Sequence, residues 1–196
     1  MIKIISMIKS LIKKLFGFVN CRIHGIAKYG KNVYIGRFFH VSMEDKCSIK
    51  LGNNVSISSN AMLLLVKSKA QVIIENNIRI AHHFQISCAN EVIIKSDVNI
   101  APYVFISDHN HKYQDPDIPI KDQGIILEKN SKVIIENDCW IGTKVTIVGN
   151  VRIGKHCVIG ANSVVTKDIP DYSVAVGIPC RVIRHYDFDR KEWVKN

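Results

Sequence analysis

The sequence predicts an all-β solenoid, in which short parallel strands coil around one shared core. The first observation is an apolar residue at every sixth position from Ile135 to Val165, with a second, mostly apolar row two positions earlier. The second is that Gly142, Gly154 and Gly160 each directly follow a member of the first row. Two apolar positions two apart lie on one face of a strand, and small residues after them suit a corner. A period of six does not fit a helix of 3.6 residues per turn, and a propeller blade needs about 40 residues.

The composition is typical of one globular domain. The 196 residues are 47% hydrophobic, which is enough to bury a core. The six cysteines form no CxxC pair, so neither a zinc knuckle nor a dithiol redox motif is indicated, and we expect reduced, buried thiols in a cytoplasmic protein.

The net charge of +10 favours an anionic partner, which could be a phosphorylated cofactor, a membrane surface or nucleic acid. Because no nucleic-acid-binding motif accompanies that charge, we expect no nucleic-acid partner.

Residues 1–20 form the first predicted element, a basic amphipathic helix. Apolar residues recur at helical spacing from Ile4 to Phe16, while lysines occupy the other face. These lysines interrupt the apolar run too often for a secretory or membrane-spanning segment. Two interpretations remain open: reversible contact with the inner face of an anionic membrane, or packing against the protein or a neighbouring subunit.

Residues 21–186 form the predicted solenoid. An early, less regular turn includes Leu51, Val55, Ile57 and Leu63, and two more regular blocks follow it. A single coil cannot bury its inward face, so we expect successive coils to stack on a continuous core of isoleucine and valine. The inward positions of the two blocks are Val72, Ile74, Ile78, Ile80, Phe84 and Ile86, then Val92, Ile94, Val98, Ile100, Val104 and Ile106.

The regular spacing breaks between Ile106 and Ile135, because their separation along the chain is not a multiple of six. The intervening HNHKYQDPDIPIKDQGIILEKN contains two prolines, several aspartates and a glycine. This composition predicts a protruding loop over residues 107–131. Counting on from the inward Ile106 places Asp108 and His109 at a corner, where a side chain can face a groove between coils.

Three motifs in the C-terminal half identify a family. WIGTKVTI at 140–147, IGANSVVTKDIP at 159–170 and VGIPCRVIR at 176–184 resemble the hexapeptide-repeat acyltransferases. The resemblance is closest to the maltose and galactoside O-acetyltransferase branch and to polysaccharide O-acetyltransferases. It implies a left-handed parallel β-helix with three hexapeptides per coil, an acetyl-CoA-dependent reaction without a metal, and a homotrimer with active sites between subunits. Residues 187–196 are then a C-terminal tail.

The resemblance also implies roles for individual residues. The family's catalytic histidine sits where the regular coil gives way to the loop, and His109 matches that position. Imidazole has an ordinary pKa of about 6.5, so it can accept the proton of a sugar hydroxyl as the hydroxyl attacks the acetyl-CoA thioester. Small residues would let CoA approach the backbone, and cations would meet its phosphates. The implied CoA-binding positions are Thr143, Ala161, Thr166, Lys167, Arg181 and Arg184.

The acceptor side departs from the related enzymes. They place an asparagine from an earlier coil beside the catalytic histidine, where this chain has His83 or Gln85 in IAHHFQIS. Asp108 and His111 are further substrate-binding candidates, although Asp108 could instead orient an imidazole and His111 could be solvated. This departure disfavours simple sugars such as maltose. Together with the basic N-terminal segment, it favours a bacterial surface polysaccharide or a lipid-linked glycan precursor.

Three other functions are compatible with parts of the sequence. An N-acetyltransferase of an amino or nucleotide sugar would use the same base and co-substrate. A non-catalytic hexapeptide scaffold would need neither His109 nor the basic residues near the C terminus. A zinc site of His82, His83, His109 and His111 is suggested by hexapeptide-repeat carbonic anhydrases, but the spacing does not match theirs, and we expect no metal.

Overall fold

The computed structural model describes residues 21, 24–26, 28–128 and 130–195. The amphipathic helix predicted for residues 1–20 lies outside these ranges. Within the ranges that are described, no helix is long and apolar enough to cross a bilayer.

The described chain forms six coils of three short strands each, followed by one further parallel strand and a C-terminal hairpin. The first three coils are β1 (Lys28–Tyr29), β2 (Tyr34–Ile35) and β3 (His40–Met43); β4 (Ser48–Leu51), β5 (Val55–Ile57) and β6 (Met62–Leu65); β7 (Gln71–Ile74), β8 (Ile78–Ile80) and β9 (Gln85–Cys88). The fourth coil is β10 (Glu91–Ile94), β11 (Asn99–Ile100) and β12 (Phe105–Ser107), and the loop after it holds β13 (Asn110–His111), a 3-10 turn (Ile120–Asp122) and β14 (Ile125–Ile126). The remainder is β15 (Lys132–Ile135), β16 (Trp140–Ile141), β17 (Thr146–Val148), β18 (Val151–Ile153), β19 (Val158–Ile159), β20 (Val164–Val165), β21 (Ser173–Val176), β22 (Arg181–Asp187) and β23 (Glu192–Lys195).

Equivalent strands of successive coils pair in parallel and build three sheets. The first sheet has the order β1-β4-β7-β10-β15-β18, the second runs from β2 to β23, and the third has the order β3-β6-β9-β12-β17-β20. The inward rows predicted from the sequence are buried, and they join one continuous apolar cluster along the solenoid. The all-β parallel solenoid predicted from the spacing is therefore confirmed.

Coil length explains why the six-residue period is strict only near the C-terminal end. In the first sheet Ser48 pairs with Gln71, Gln71 with Glu91, and Val133 with Val151, so the coils become shorter along the chain. The extra residues of the early coils lie between the third strand of one coil and the first strand of the next, which we call the third corner. The loop of residues 108–131 leaves the solenoid at this same corner.

The first corner, between the first and second strands of each coil, is held by a ladder of side-chain amides. Asn32 donates to Asn54 at 2.9 Å, Asn54 donates to Asn77 at 2.9 Å, and Asn77 donates to Asp97 at 3.0 Å. All four residues have positive φ angles between 57° and 65°. Asparagine and aspartate tolerate this left-handed conformation better than most residues, which accounts for their recurrence at this corner.

Two segments are more regular than the sequence indicated. The loop contains an antiparallel pair, in which Asn110 aligns with Ile126 and His111 with Ile125. Most of residues 187–196 is also regular, because β23 (Glu192–Lys195) pairs with β22, which in turn pairs with β21. This hairpin adds two antiparallel strands to the second sheet, and so covers a strand edge that would otherwise be open.

Replacement of an inward residue is expected to cost far more stability than replacement of its outward neighbour on β10. Ile94 is fully buried, whereas Ile93 is only half-buried on the outer face. We expect Ile94→Ala to lower the free energy of unfolding by about 2–5 kcal/mol through the cavity it leaves. Urea denaturation of Ile94→Ala and Ile93→Ala measures the difference. Equal losses in the two variants would contradict the inward assignment of Ile94.

Candidate active site

The sequence Ser-Asp-His at 107–109 lies where β12 ends and the loop leaves the third corner. Strand alternation continues past Ile106, so Ser107 faces outward and Asp108 faces inward. Asp108 lies above the inward Cys88 of the preceding coil, with 3.6 Å between the Cys88 sulfur and a carboxylate oxygen of Asp108. Only 1% of Asp108 is exposed. Asp108 thus lies at the predicted corner, but its side chain continues the inward row into the interior and not toward a groove.

The Asp108 carboxylate caps the turn of the preceding coil. It accepts hydrogen bonds from the backbone N–H groups of Ala89 at 2.7 Å, Asn90 at 2.7 Å and Glu91 at 2.8 Å. Burial alone would raise the pKa of Asp108, because the carboxylate loses its hydration. Hydrogen bonds from His109 and from these three N–H groups outweigh burial and hold the pKa of Asp108 below its usual value of 3.8. Asp108 is therefore ionised at neutral pH.

Asp108 fixes the imidazole of His109. Its Oδ1 lies 3.0 Å from His109 Nδ1. Because an ionised carboxylate can only accept, Nδ1 carries the proton and Nε2 keeps a free electron pair. The Nε2 atom lies 3.5 Å from the hydroxyl oxygen of Ser87, and the His109 side chain is 7% exposed. The arrangement is a carboxylate-anchored imidazole with one basic nitrogen available.

Both ends of the inserted loop are tied to the same turn. Ser131 donates a hydrogen bond from its hydroxyl to the backbone carbonyl of Asp108 at 2.6 Å. The carboxamide of Asn90 donates to the backbone carbonyl of Ser131 at 2.6 Å. The Ser107 hydroxyl donates to the backbone carbonyl of His109 at 2.9 Å. These bonds restrain the backbone on either side of His109 and so limit the movement of its ring.

The residue of the preceding coil that reaches His109 is Ser87, which the sequence interpretation missed. The sequence predicts His83 or Gln85 for this place. Gln85 lies two residues earlier on β9, and His83 stacks on Tyr103 with ring centres 4.6 Å apart. One signal could have identified Ser87. It precedes Ser107 by one full coil, and the two serines pair across β9 and β12.

Three further histidines are site candidates from the sequence, and none of them shares the burial of His109. His111 is exposed on β13, two residues beyond His109. His82 and His83 are neighbours, with ring centres 6.2 Å apart. In the part of the chain that the structure describes, no three His, Cys, Asp or Glu side chains come together in a way that could hold a metal ion.

The six CoA-binding candidates fall into three places. Thr143 and Ala161 occupy the same corner of successive coils, and the backbone N–H of Asn162 donates to the Thr143 carbonyl at 2.8 Å. These coils approach closely, because a Cβ on Gly142 would lie 2.7 Å from the backbone nitrogen of Ala161. Thr166 and Lys167 directly follow β20 at the third corner, the corner that also carries His109. Arg181 and Arg184 lie exposed on β22.

The outward face of the third sheet, which lies beside His109, differs in composition from the other two. None of its six strands contains Lys, Arg, Asp or Glu. The outward residues are mostly apolar or hydroxyl-bearing, and they include Met62, Leu64, Phe105, Val148 and Val164. The first sheet, by contrast, carries Lys50, Glu91 and Arg152 on its strands.

Comparison with known proteins agrees with this architecture. The family model described as bacterial transferase hexapeptide (six repeats) matches residues 132–167. WbbJ of Escherichia coli, provisionally named a lipopolysaccharide biosynthesis O-acetyl transferase, is 33% identical over 152 residues, which cover 76% of this chain and 77% of WbbJ. A protein of Mycobacterium tuberculosis that is named as a probable acetyltransferase is 43% identical over 95 residues, and the match spans only 31% of its length.

Solved structures of acyltransferases have the same fold. AntD, an N-acyltransferase from Bacillus cereus in complex with dTDP and 3-hydroxybutyryl-CoA, superposes with a TM-score of 0.69 at 25% identity, over 88% of this chain and 89% of AntD. A galactoside acetyltransferase in complex with coenzyme A gives a TM-score of 0.56 at 30% identity, over 87% of this chain and 70% of that enzyme. The chain thus belongs to the hexapeptide-repeat acyltransferases, in the branch of the galactoside and lipopolysaccharide O-acetyltransferases, and it folds as a left-handed parallel β-helix.

Proposed function

We propose that this protein is an acetyl-CoA-dependent O-acetyltransferase that modifies a sugar hydroxyl of a bacterial surface polysaccharide or of its precursor. The observation that carries the proposal is the contact of 3.0 Å between Asp108 and Nδ1 of His109, which leaves Nε2 as a base. The names of the relatives support the choice of substrate, since WbbJ is assigned to lipopolysaccharide biosynthesis.

In the proposed reaction His109 Nε2 takes the proton of the acceptor hydroxyl. The hydroxyl oxygen forms a bond to the acetyl carbon of acetyl-CoA, and a tetrahedral oxyanion results. The oxyanion then collapses, the carbon–sulfur bond breaks, and the leaving CoA thiolate takes the proton from Nε2. The products are an O-acetyl ester and CoA. Asp108 acts as a positioning residue, because its carboxylate holds the Nδ1–H and stabilises the imidazolium that forms.

CoA is proposed to bind along the C-terminal coils. Thr143 and Ala161 lie at one corner where two coils approach closely, so the pantetheine arm can lie against the backbone. Lys167 lies at the corner that carries His109, and Arg181 and Arg184 are exposed cations that can pair with the phosphates. No metal has a role in this mechanism.

The acceptor contacts are proposed from position alone. Ser87 and His111 flank His109, from the preceding coil and from the loop, and His83 and Gln85 lie further along the preceding coil. His111 is also the alternative base, and its exposure favours that role. Variants of each histidine decide between them.

A homotrimer with active sites between subunits is proposed from the face of the third sheet. Depletion of charged residues is typical of the core of a protein interface. This face carries none of the four charged residue types, although the chain is 22% charged. His109 lies at its edge, so a second subunit on this face would lie beside Nε2 and form one wall of the active site.

N-acyl transfer to an amino sugar is the second candidate function, and AntD favours it because AntD is an N-acyltransferase. The two products are chemically distinct, since an ester is cleaved by hydroxylamine and an amide is not. The non-catalytic scaffold gains no support from the buried His109–Asp108 pair. Placement in the cytoplasm and membrane contact through residues 1–20 stay predictions, since that segment lies outside the described residues.

The first prediction concerns the base. We expect His109→Ala to lower kcat/KM for acetyl transfer by about 10²–10⁴-fold, the usual contribution of general base catalysis. Mass spectrometry of a panel of sugars, nucleotide sugars and glycan fragments measures the acetylated product. His156→Ala is the matched control, because His156 is also paired with an aspartate, Asp138 at 2.6 Å, but is exposed. Retained activity in His109→Ala with loss in His111→Ala would move the role of base to His111.

The second prediction concerns Asp108. The pKa of Asp108 is lower in the folded chain than the usual 3.8, so the ionised carboxylate stabilises the folded protein above that pH. This stabilisation is lost as the pH falls through the folded pKa. We expect Asp108→Asn to destabilise the protein by about 3–5 kcal/mol at pH 7, the usual cost of breaking a buried charged network. In urea denaturation, the difference in unfolding free energy between the wild type and Asp108→Asn should become smaller as the pH falls below 3.8. Asp138→Asn, the exposed control, should change stability by about 1 kcal/mol or less.

The third prediction concerns assembly. We expect light scattering to give three times the chain mass of 22.2 kDa. Phe105→Lys would place a charge in the uncharged face and should yield monomers, whereas Ile93→Lys, on the outward face of the first sheet, should not. A wild-type monomer would refute the intersubunit active site.

A further inference from the structure

Among the described residues, cations outnumber acids at one end of the solenoid. Residues 28–70 contain seven Lys and Arg but only two Asp and Glu, whereas residues 71–196 contain 15 of each kind. Coils stack in the order of the sequence, with β1–β3 and β4–β6 at one end. The charge boundary along the sequence is therefore also a boundary in space.

The cations of the first two coils project into solvent. Six of the seven that the structure describes are exposed, and the seventh, Lys50, is half-buried. Among the described residues, none of the seven lies within 4.0 Å of an acidic side chain. By contrast, Lys95 and Arg152 further along both pair with Glu136. The six exposed cations are Lys28, Lys31, Arg37, Lys46, Lys67 and Lys69.

These cations surround the end of the solenoid. Lys31 lies at the first corner, Arg37 at the second corner, and Lys46, Lys67 and Lys69 at the third, as the strand bounds require. A partner that meets all of them must contact the end of the solenoid and not one of its three sides. A broad, flat anionic surface has that geometry.

Apolar side chains are exposed among the same cations. Phe38 is 80% exposed and follows Arg37, and Val66 is 40% exposed and precedes Lys67. Met43 is 37% exposed on the same end. Cations with neighbouring apolar side chains suit the interface of an anionic bilayer, where headgroups meet the charges and the acyl boundary takes the apolar groups. A nucleic acid would use the cations but not Val66 or Met43.

We propose that the first two coils of the solenoid form an end-on docking surface for an anionic phospholipid bilayer. The axis of the β-helix would then run roughly perpendicular to the plane of the membrane. His109 follows the fourth coil, three coil spacings of about 4.8 Å beyond the first. The base would therefore lie roughly 14 Å above the first coil, a height that suits a sugar attached to a lipid. This last consequence rests on the proposed function, whereas the docking surface does not.

Sedimentation of the full chain with phosphatidylcholine vesicles, with and without phosphatidylglycerol, tests the proposal. We expect binding only to the anionic vesicles, with a steep loss at high salt. Each surface lysine contributes about fivefold, so the triple variant Lys46→Glu, Lys67→Glu and Lys69→Glu should bind at least about 100-fold more weakly. Lys31→Glu with Arg37→Glu should cost at least about tenfold, because end-on docking engages the other two corners.

The matched control carries the same change in net charge elsewhere. It combines Lys132→Glu, Lys191→Glu and Lys195→Glu, all exposed and beyond the first two coils. We expect it to bind nearly as well as the wild type. Equal losses in the two triple variants, undiminished binding of the first triple variant, or binding of a DNA duplex without vesicle binding would each overturn the proposal. Acetyl transfer to a soluble acceptor, unchanged in the docking variants, separates this surface from the active site.

Discussion

Parallel stacking of one coil on the next is the constraint on which the rest of this structure depends. Every strand of a coil must find its hydrogen-bond partners on the coils before and after it, so the three sheets grow together and the inward rows become one core. Corners must turn within a few residues, and left-handed backbone at residues such as Asn54 and Asn77 makes that possible. Additional chain can be accommodated only where it does not interrupt the strands. In this protein that place is the third corner.

The candidate active site arises at the point where stacking is interrupted. At the end of the fourth coil the chain leaves for the loop. The turn of the preceding coil therefore has no backbone of the next coil stacked on it. Asp108 supplies acceptors for the N–H groups of that turn, and the same carboxylate holds the imidazole of His109. One buried charge therefore closes a structural gap and sets the proton on Nδ1. Stability and chemistry are coupled at this residue.

The linear order of the coils also arranges function along one axis. The described cations of the first two coils lie at one end, the His109–Asp108 pair follows the fourth coil, and the motifs typical of CoA-binding acyltransferases occupy the last two coils and β22. A compact globular fold mixes distant parts of the sequence, whereas a solenoid keeps them in order. For this reason the excess of cations in residues 28–70, seven against two acids, becomes a directional property of the molecule.

The sequence by itself determined the solenoid, its inward rows, the place of the loop and the family, because a short period and local motifs need no knowledge of distant contacts. It did not reveal the first coil in detail, the hairpin of β22 and β23, or the inward direction of Asp108. Nor did it identify Ser87 and Ser131, which meet His109 and Asp108 from one coil away and from the far end of the loop. Those contacts depend on coils whose lengths differ along the chain, and small differences in length decide which side chains face each other. Only the stacked structure decided them, because register between coils is a property of the whole assembly and not of any single repeat.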